Sequence, residues 1–137
     1  HYLDSFLACA GVPCLEPTVV VPAGNRIAGT QQVSAYAELA WRDARWGTWA
    51  VEARGVGRTA VNDTNSDFAA GYGVAALRWH KRYAFGAGRE IELLLRVDNL
   101  FDKTYAGSVI VNDGNGRFFE TGAPRSGLIG IRLIGAL

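Results

Sequence analysis

Apolar and polar residues alternate with a period of two along most of this chain. The segment EIELLLRVDNLFDKTYAG, residues 90–107, shows it best. Glu92, Leu94, Arg96, Asp98, Leu100 and Asp102 fall on one face, and Ile91, Leu93, Leu95, Val97, Asn99 and Phe101 on the other. Successive side chains of a strand point to opposite faces. A helix would mix these charges and leucines on every side. The pattern predicts a strand with one wet face and one nearly apolar face.

The same alternation marks five further strands. The first is Tyr2 to Ala8. The second, Gln31 to Arg42, sets Val33, Ala35, Ala37, Leu39 and Trp41 against Gln32, Ser34, Tyr36, Glu38, Ala40 and Arg42. The third, Thr48 to Arg58, opposes Trp49, Val51, Ala53, Gly55 and Gly57 to Glu52, Arg54 and Arg58. The fourth, Tyr72 to Tyr83, opposes Ala75, Leu77 and Trp79 to Arg78 and His80. Segment 90–107 is the fifth. On the last, Leu128 to Leu137, Ile129, Ile131, Leu133 and Leu137 oppose Arg132. The prediction is an all-β chain: an antiparallel up-and-down meander of about six strands.

The connections alternate long and short. The short ones are DARWG and FGAGR; the long ones run through residues 9–29, 59–71 and 107–125. Trp41, Trp46, Trp79, Tyr83 and Phe85 all flank the short turns, so they gather at one rim. Trp and Tyr at one level mark a membrane interface, and Trp41, Trp46, Trp79 and Tyr83 are candidate interface anchors. The strands are close to the roughly 9–11 residues that cross a bilayer when tilted. The apolar face is rich in Ala and Gly, which would make a thin core for a sandwich. The pattern favours a transmembrane barrel wall and leaves a soluble all-β ligand-binding module as the alternative, with its apolar face turned to a protein core.

Composition narrows the choice of function. A formal charge of +1 gives no basic excess for nucleic acid. No run of 18 apolar residues is present for a transmembrane helix, which does not bear on barrel strands. His1 opens directly on a strand-like segment with no leader pattern, as in a piece of a longer chain or a mature product. Cys9 and Cys14, in CAGVPC, suit a small disulfide-closed loop, with free thiols or a metal pair as alternatives. A disulfide would place the chain in an oxidising compartment.

GxSxG, HExxH, the phosphate-binding loop and GxGxxG are all absent, so neither an enzyme nor a cofactor is expected, and no catalytic or metal-ligating set is assigned. Asn112-Asp113-Gly114-Asn115-Gly116 reads first as a turn and second as a calcium loop. Arg54, Arg58 and Arg96, on wet faces, and Arg117, in the last long loop, are the candidate contacts for an anionic ligand. Glu52, Glu92 and Asp98 share those faces and offer the competing outcome, ion pairs that satisfy the arginines within the wall.

VDNLFDKTYAG, residues 97–107, resembles the penultimate-strand motif of TonB-dependent outer-membrane receptors of the siderophore type. GNRIAGTQQVSAYAELAWR, residues 24–42, is similar to the family's Gly-x-Arg-Ile loop and the strand that follows it. GAPRSGLIGIRL, residues 122–133, is similar to the closing segment, although Ala123-Pro124-Arg125 stands where Pro-Gly-Arg is usual and Leu137 where an aromatic is usual. The resemblance implies the last six strands of a 22-stranded barrel that encloses a plug. It implies the outer membrane as location and lipid, the rest of the barrel, the plug and, through the plug, TonB as partners. Ferric siderophore or a similar scarce nutrient is the implied cargo. Short turns would then be periplasmic and long loops, with CAGVPC, extracellular. A small outer-membrane barrel would need to oligomerise, because six strands leave two unpaired edges in lipid.

Overall fold

The computed structural model describes residues 1–9, 13–86 and 88–135. Every regular element among them is a strand: β1 (Phe6–Ala8), β2 (Val19–Val21), β3 (Ser34–Asp43), β4 (Gly47–Val56), β5 (Thr59–Ala60), β6 (Phe68–Ala69), β7 (Tyr72–Ala84), β8 (Glu90–Asp98), β9 (Ala106–Val109), β10 (Phe119–Thr121) and β11 (Ser126–Ile134). The chain divides into two compact units. A sheet unit comprises Ala35–Gly55, Gly73–Lys103 and the segment from Ala123 on; a loop unit comprises His1–Ser34, Val56–Tyr72 and Thr104–Gly122.

The sheet unit is built on a five-stranded meander in the order β11-β8-β7-β4-β3. Its register keeps every alternation in phase. Across β7 and β8, Leu77 faces Val97, Trp79 faces Leu95 and Tyr83 faces Ile91 on one side, while Arg78 faces Arg96 and Arg82 faces Glu92 on the other. Across β8 and β11, Ile129 faces Leu95, Ile131 faces Leu93 and Leu133 faces Ile91, with Arg132 opposite Glu92 on the charged side. Odd-numbered positions of β7, β8 and β11 therefore form one face of the sheet and even-numbered positions the other; the ion pairs of Glu38 and Glu52 with Arg78 and Arg96 put the even positions of β3 and β4 on that second face.

Two chemical devices end the strands. At the β3–β4 turn, Asp43 Oδ1 accepts hydrogen bonds from the N–H groups of Arg45 (2.7 Å) and Trp46 (2.8 Å). Gly47 then adopts φ +82°, where a Cβ would press on the His80 carbonyl. At the end of β8, Asn99 and Asp102 take φ 47° and 52°. The buried Asn99 side chain holds this turn: Nδ2 donates to the carbonyls of Lys103 (2.9 Å) and Ala123 (3.1 Å), and Oδ1 accepts from Lys103 N–H (2.9 Å).

Several expected boundaries are corrected. The predicted strand through residues 90–107 ends at Asp98, because the left-handed turn at Asn99 takes Leu100, Phe101 and Asp102 out of the alternation. The predicted Thr48–Arg58 strand ends at Val56, which leaves Gly57 and Arg58 outside it. The Gln31–Arg42 strand begins at Ser34. Tyr2–Ala8 is not a wall strand. Only Phe6–Ala8 is extended, and it pairs with Val19–Val21 inside what had looked like open loop, so the meander has five strands and not six. The last strand begins at Ser126 and is followed to Ile134. Leu137 lies outside the described residues, as do the interior of CAGVPC and Ala87 of the FGAGR turn.

The loop unit has its own hairpins, β1–β2, β5–β6 and β9–β10, and its own small core of Val21, Ala28, Ala60, Val61 and Ala69. Substituting Asn99 by Ala removes three hydrogen bonds and the residue's tolerance for positive φ. We expect a loss of about 2–3 kcal/mol by denaturant titration, and a smaller loss for Asn99→Gly, which keeps the backbone freedom.

Candidate functional site

The even face of the sheet carries a connected set of charges. Arg78 and Arg96 lie directly opposite each other on β7 and β8, an unfavourable cross-strand pair by itself. Glu52 of β4 resolves it. Arg96 Nη1 and Nη2 donate to Glu52 Oε1 and Oε2 at 2.8 and 2.7 Å, a two-pronged fit between guanidinium and carboxylate. Arg96 Nε donates to Asp98 Oδ1 at 2.9 Å. Arg78 Nη2 donates to Glu38 Oε2 at 3.2 Å. Its Nε stands 3.5 Å from Glu52 Oε1, too poorly aligned for a hydrogen bond. Tyr36 O–H also donates to Glu38. A second group, nearer the short turns, places Arg82 and Arg132 at 3.6 and 3.9 Å from Glu92 Oε2.

The odd face is its opposite. Val51 and Leu95, on inner strands, are 47% and 43% exposed, and Ile129, Ile131 and Leu133 on β11 exceed 70%. The Glu52 side chain is only 13% exposed. The two buried alanines of the sheet, Ala50 and Ala76, lie on the charged face. At the centre of the sheet, Glu52 is thus better covered than Val51 and Leu95 on the opposite face.

Aromatic residues crowd the end with the short turns. Trp79 Nε1 donates to the Trp46 carbonyl at 2.7 Å, which ties the β3–β4 turn to the end of β7. Trp49 and Trp79 rings lie 6.1 Å apart, and Arg45 stacks over Trp46. Trp41 is exposed on β3, and Tyr83 and Phe85 are exposed at the other short turn. Lys81, whose position falls on the odd face, reaches back so that its ammonium meets the Arg45 carbonyl and the Tyr83 ring. A long cationic side chain behaves this way beside an apolar surface. Sequence reasoning did not single out Lys81; a lone Lys on an otherwise apolar strand face was the signal.

The four candidate arginines are not one cluster. Arg96 is fully engaged by Glu52 and Asp98. Arg54 is exposed on the same face of β4, with no ion pair among the described residues. Arg58 belongs to the loop unit, where its guanidinium lies 4.8 Å from the Phe68 ring centroid. Arg117 is exposed in the same unit, and its backbone N–H donates to Asp113 Oδ2 at 2.7 Å.

A polar staple joins distant segments of the loop unit. Asp63 accepts from Tyr2 O–H at 2.5 Å and from Asn112 Nδ2 at 2.8 Å, and its carbonyl accepts from Asn25 Nδ2 at 2.8 Å. Asn65, at φ 56°, pairs with both backbone groups of Arg26. The hydrogen bond to Asp63, helped by burial and the nearby negative charge, pushes the Tyr2 hydroxyl up to about 12. Cys9 and Cys14 are disulfide-bonded, with Cα atoms 5.6 Å apart. Beside them opens a cleft of about 700 Å³, lined among others by Asp63, Asn112, Asp113 and Phe118. No group of three or more His, Cys, Asp or Glu able to hold a metal occurs among the described residues. No family model matches the chain.

Two outcomes follow. Glu52→Ala should destabilise the fold by about 2 kcal/mol, because it removes the carboxylate that lies between Arg78 and Arg96 and leaves each with only its outer partner, Glu38 or Asp98. In a double-mutant cycle with Arg96→Ala, the two losses should fall well short of additive; strict additivity would contradict the pairing. Tyr2 is held protonated in the fold, so its contribution is complete below about pH 10, the ordinary tyrosine value, and is lost as pH rises through about 12. Tyr2→Phe should remove that alkaline step from the stability profile.

Proposed function

We propose that this chain is part of the wall of a 22-stranded outer-membrane β-barrel of the TonB-dependent receptor type, which takes up ferric siderophore or a similar scarce nutrient. The observation that carries the reading is the inverted sheet: apolar side chains uncovered on the odd face, paired charges on the even face. A soluble sheet buries its apolar side. A barrel wall turns that side to lipid and its polar side to a water-filled lumen.

Three further features agree. The aromatic residues at the short-turn end suit the headgroup level of a bilayer. Among the described residues the meander leaves β3 and β11 each with one unpaired edge, and open edges are not tolerated in hydrocarbon, so further strands on both sides belong to this reading. The motifs that carry the family resemblance also meet each other. The Asn99 side chain holds the Ala123 carbonyl, and Asp102 Oδ1 accepts from Arg125 N–H at 3.0 Å. NLFD and APR thus act as one clasp between β8 and β11.

In this reading the wall performs no bond-making step. Cargo meets the outer loops and the plug, and TonB acts through the plug. Ion pairs on the lumen face hold Arg78 and Arg96 while the pore fills and empties, with Arg78 Nε the one buried side-chain atom left without a hydrogen bond among the described residues. Of the four candidate arginines, the exposed Arg54 and Arg117 are the ones left to meet an anionic chelate.

Leu93 and Leu94 test the orientation. Leu93→Arg should cost roughly 2–4 kcal/mol if the site lies near the bilayer midplane, and assembly into membranes should fall. Leu94→Arg, on the lumen side between His80 and Gly130, should assemble almost normally. Equal tolerance of the two would sink the reading. For the transport step, uptake of a ferric chelate by cells that depend on this protein should stop when TonB is removed; uptake that continues unchanged would separate the chain from this class.

A further inference from the structure

The loop unit contains the sequence VNDGNGR, residues 111–117, and its chemistry is independent of any membrane. The chain has six asparagines. In five of them the side-chain amide is held by hydrogen bonds: Asn25 to the Asp63 carbonyl, Asn62 to Ser66 Oγ, Asn65 to Arg26, Asn99 to Lys103, and Asn112 to Asp63. Asn115 is exposed, and its side chain makes no hydrogen bond among the described residues. It is also the one followed by glycine.

We infer that Asn115 is a site of spontaneous deamidation, a covalent modification written into this loop. The reaction needs the backbone nitrogen of the next residue to reach the side-chain carbon. Gly116 has no Cβ to obstruct that approach, and its surroundings are open to about 4 Å. Its N–H is weakly held, 3.4 Å from the Asp113 carbonyl, at the limit of a hydrogen bond. Gly116 N gives up its proton and bonds to Asn115 Cγ. The Cγ–Nδ2 bond breaks, and ammonia leaves with that proton. Water then opens the five-membered imide. Cleavage on the side-chain side leaves aspartate; cleavage on the main-chain side leaves isoaspartate, with one extra carbon in the backbone. No oxidant or reductant takes part.

The consequence is local and electrostatic. A carboxylate appears beside Asp113, on the segment that borders the cleft next to Cys9 and Cys14. The formal net charge of the chain falls from +1 to zero. The extra backbone atom in isoaspartate also falls between two N–H groups, those of Asn115 and Arg117, that the Asp113 carboxylate now grips together. The modified loop cannot keep both bonds in their present spacing, so Arg117 is released from its turn.

The full chain, aged at mildly alkaline pH, tests this by isoelectric focusing and by peptide mass mapping with enzymatic labelling of isoaspartate. The expected result is a single acidic step, with both products mapping to the peptide that contains Asn115. Asn115→Gln should abolish the step. Gly116→Ala should slow it through hindered attack, although the φ of +73° at this position also strains an alanine there, so Asn115→Gln is the deciding variant. An unchanged focusing pattern, or conversion of Asn62, Asn65 or Asn112 as fast as Asn115, would overturn the inference.

Discussion

Arg78 and Arg96 stand face to face on adjacent strands, and a sheet accepts that arrangement only if a counter-charge is fixed between them. Glu52 is that charge. It takes both prongs of Arg96 and lies within ion-pair distance of Arg78, while Asp98 and Glu38 occupy the outer ends of the row. Four strands, β3, β4, β7 and β8, are thereby linked through side chains on one face. The other face of the same strands is free to be wholly apolar, because no charge has to be accommodated there. The exceptions lie at the aromatic end: Lys81 sends its ammonium to the Arg45 carbonyl of the nearby turn, and Asp43, the last residue of β3, accepts from the turn N–H groups of Arg45 and Trp46.

In the proposed barrel wall, a sheet organised this way sits between two different media. Its charged side forms its own hydrogen bonds and tolerates water. Its apolar side is partly open among the described residues: Val51 and Leu95 are exposed even on inner strands, and Leu77, Leu93 and Val97 are half-buried. On the proposed reading, lipid on one side and water on the other would remove the conflict, and the outer edges of β3 and β11 would pair with neighbouring strands. The same logic explains why the turn chemistry is strict. Asp43 and Gly47 at one end and Asn99 at the other fix where each strand stops, so the alternation stays in phase across the whole meander.

The alternation was legible in the sequence, and across β7, β8 and β11 the register keeps the faces it assigns. Charges and leucines cannot exchange faces without a one-residue slip, which the pattern forbids. Strand ends were less legible. Asn99 fits a period-two pattern as well as any polar residue, and only its left-handed backbone and its bonds to Lys103 and Ala123 show that it closes the strand. The β1–β2 hairpin was missed because three residues are too few to display a period. The Tyr2–Asp63–Asn112 staple was invisible for another reason. It joins residues 61 and 49 positions apart, and nothing local announces such a pair. Of the candidate arginines, Arg96 proved to be internally paired, the outcome its acidic neighbours had made available, while Arg58 was misplaced by a strand end set two residues too late.

The central claim is that the odd face of the sheet meets lipid and the even face meets water. A nitroxide scan of β8 tests it most directly, with single labels placed from Ile91 to Val97 in the membrane-assembled protein. Collision with oxygen, which concentrates in hydrocarbon, should peak at Ile91, Leu93, Leu95 and Val97. Collision with a water-soluble nickel complex should peak at Glu92, Leu94 and Arg96. Odd positions shielded from both reagents would mean that a protein core covers that face, and the membrane account would fail.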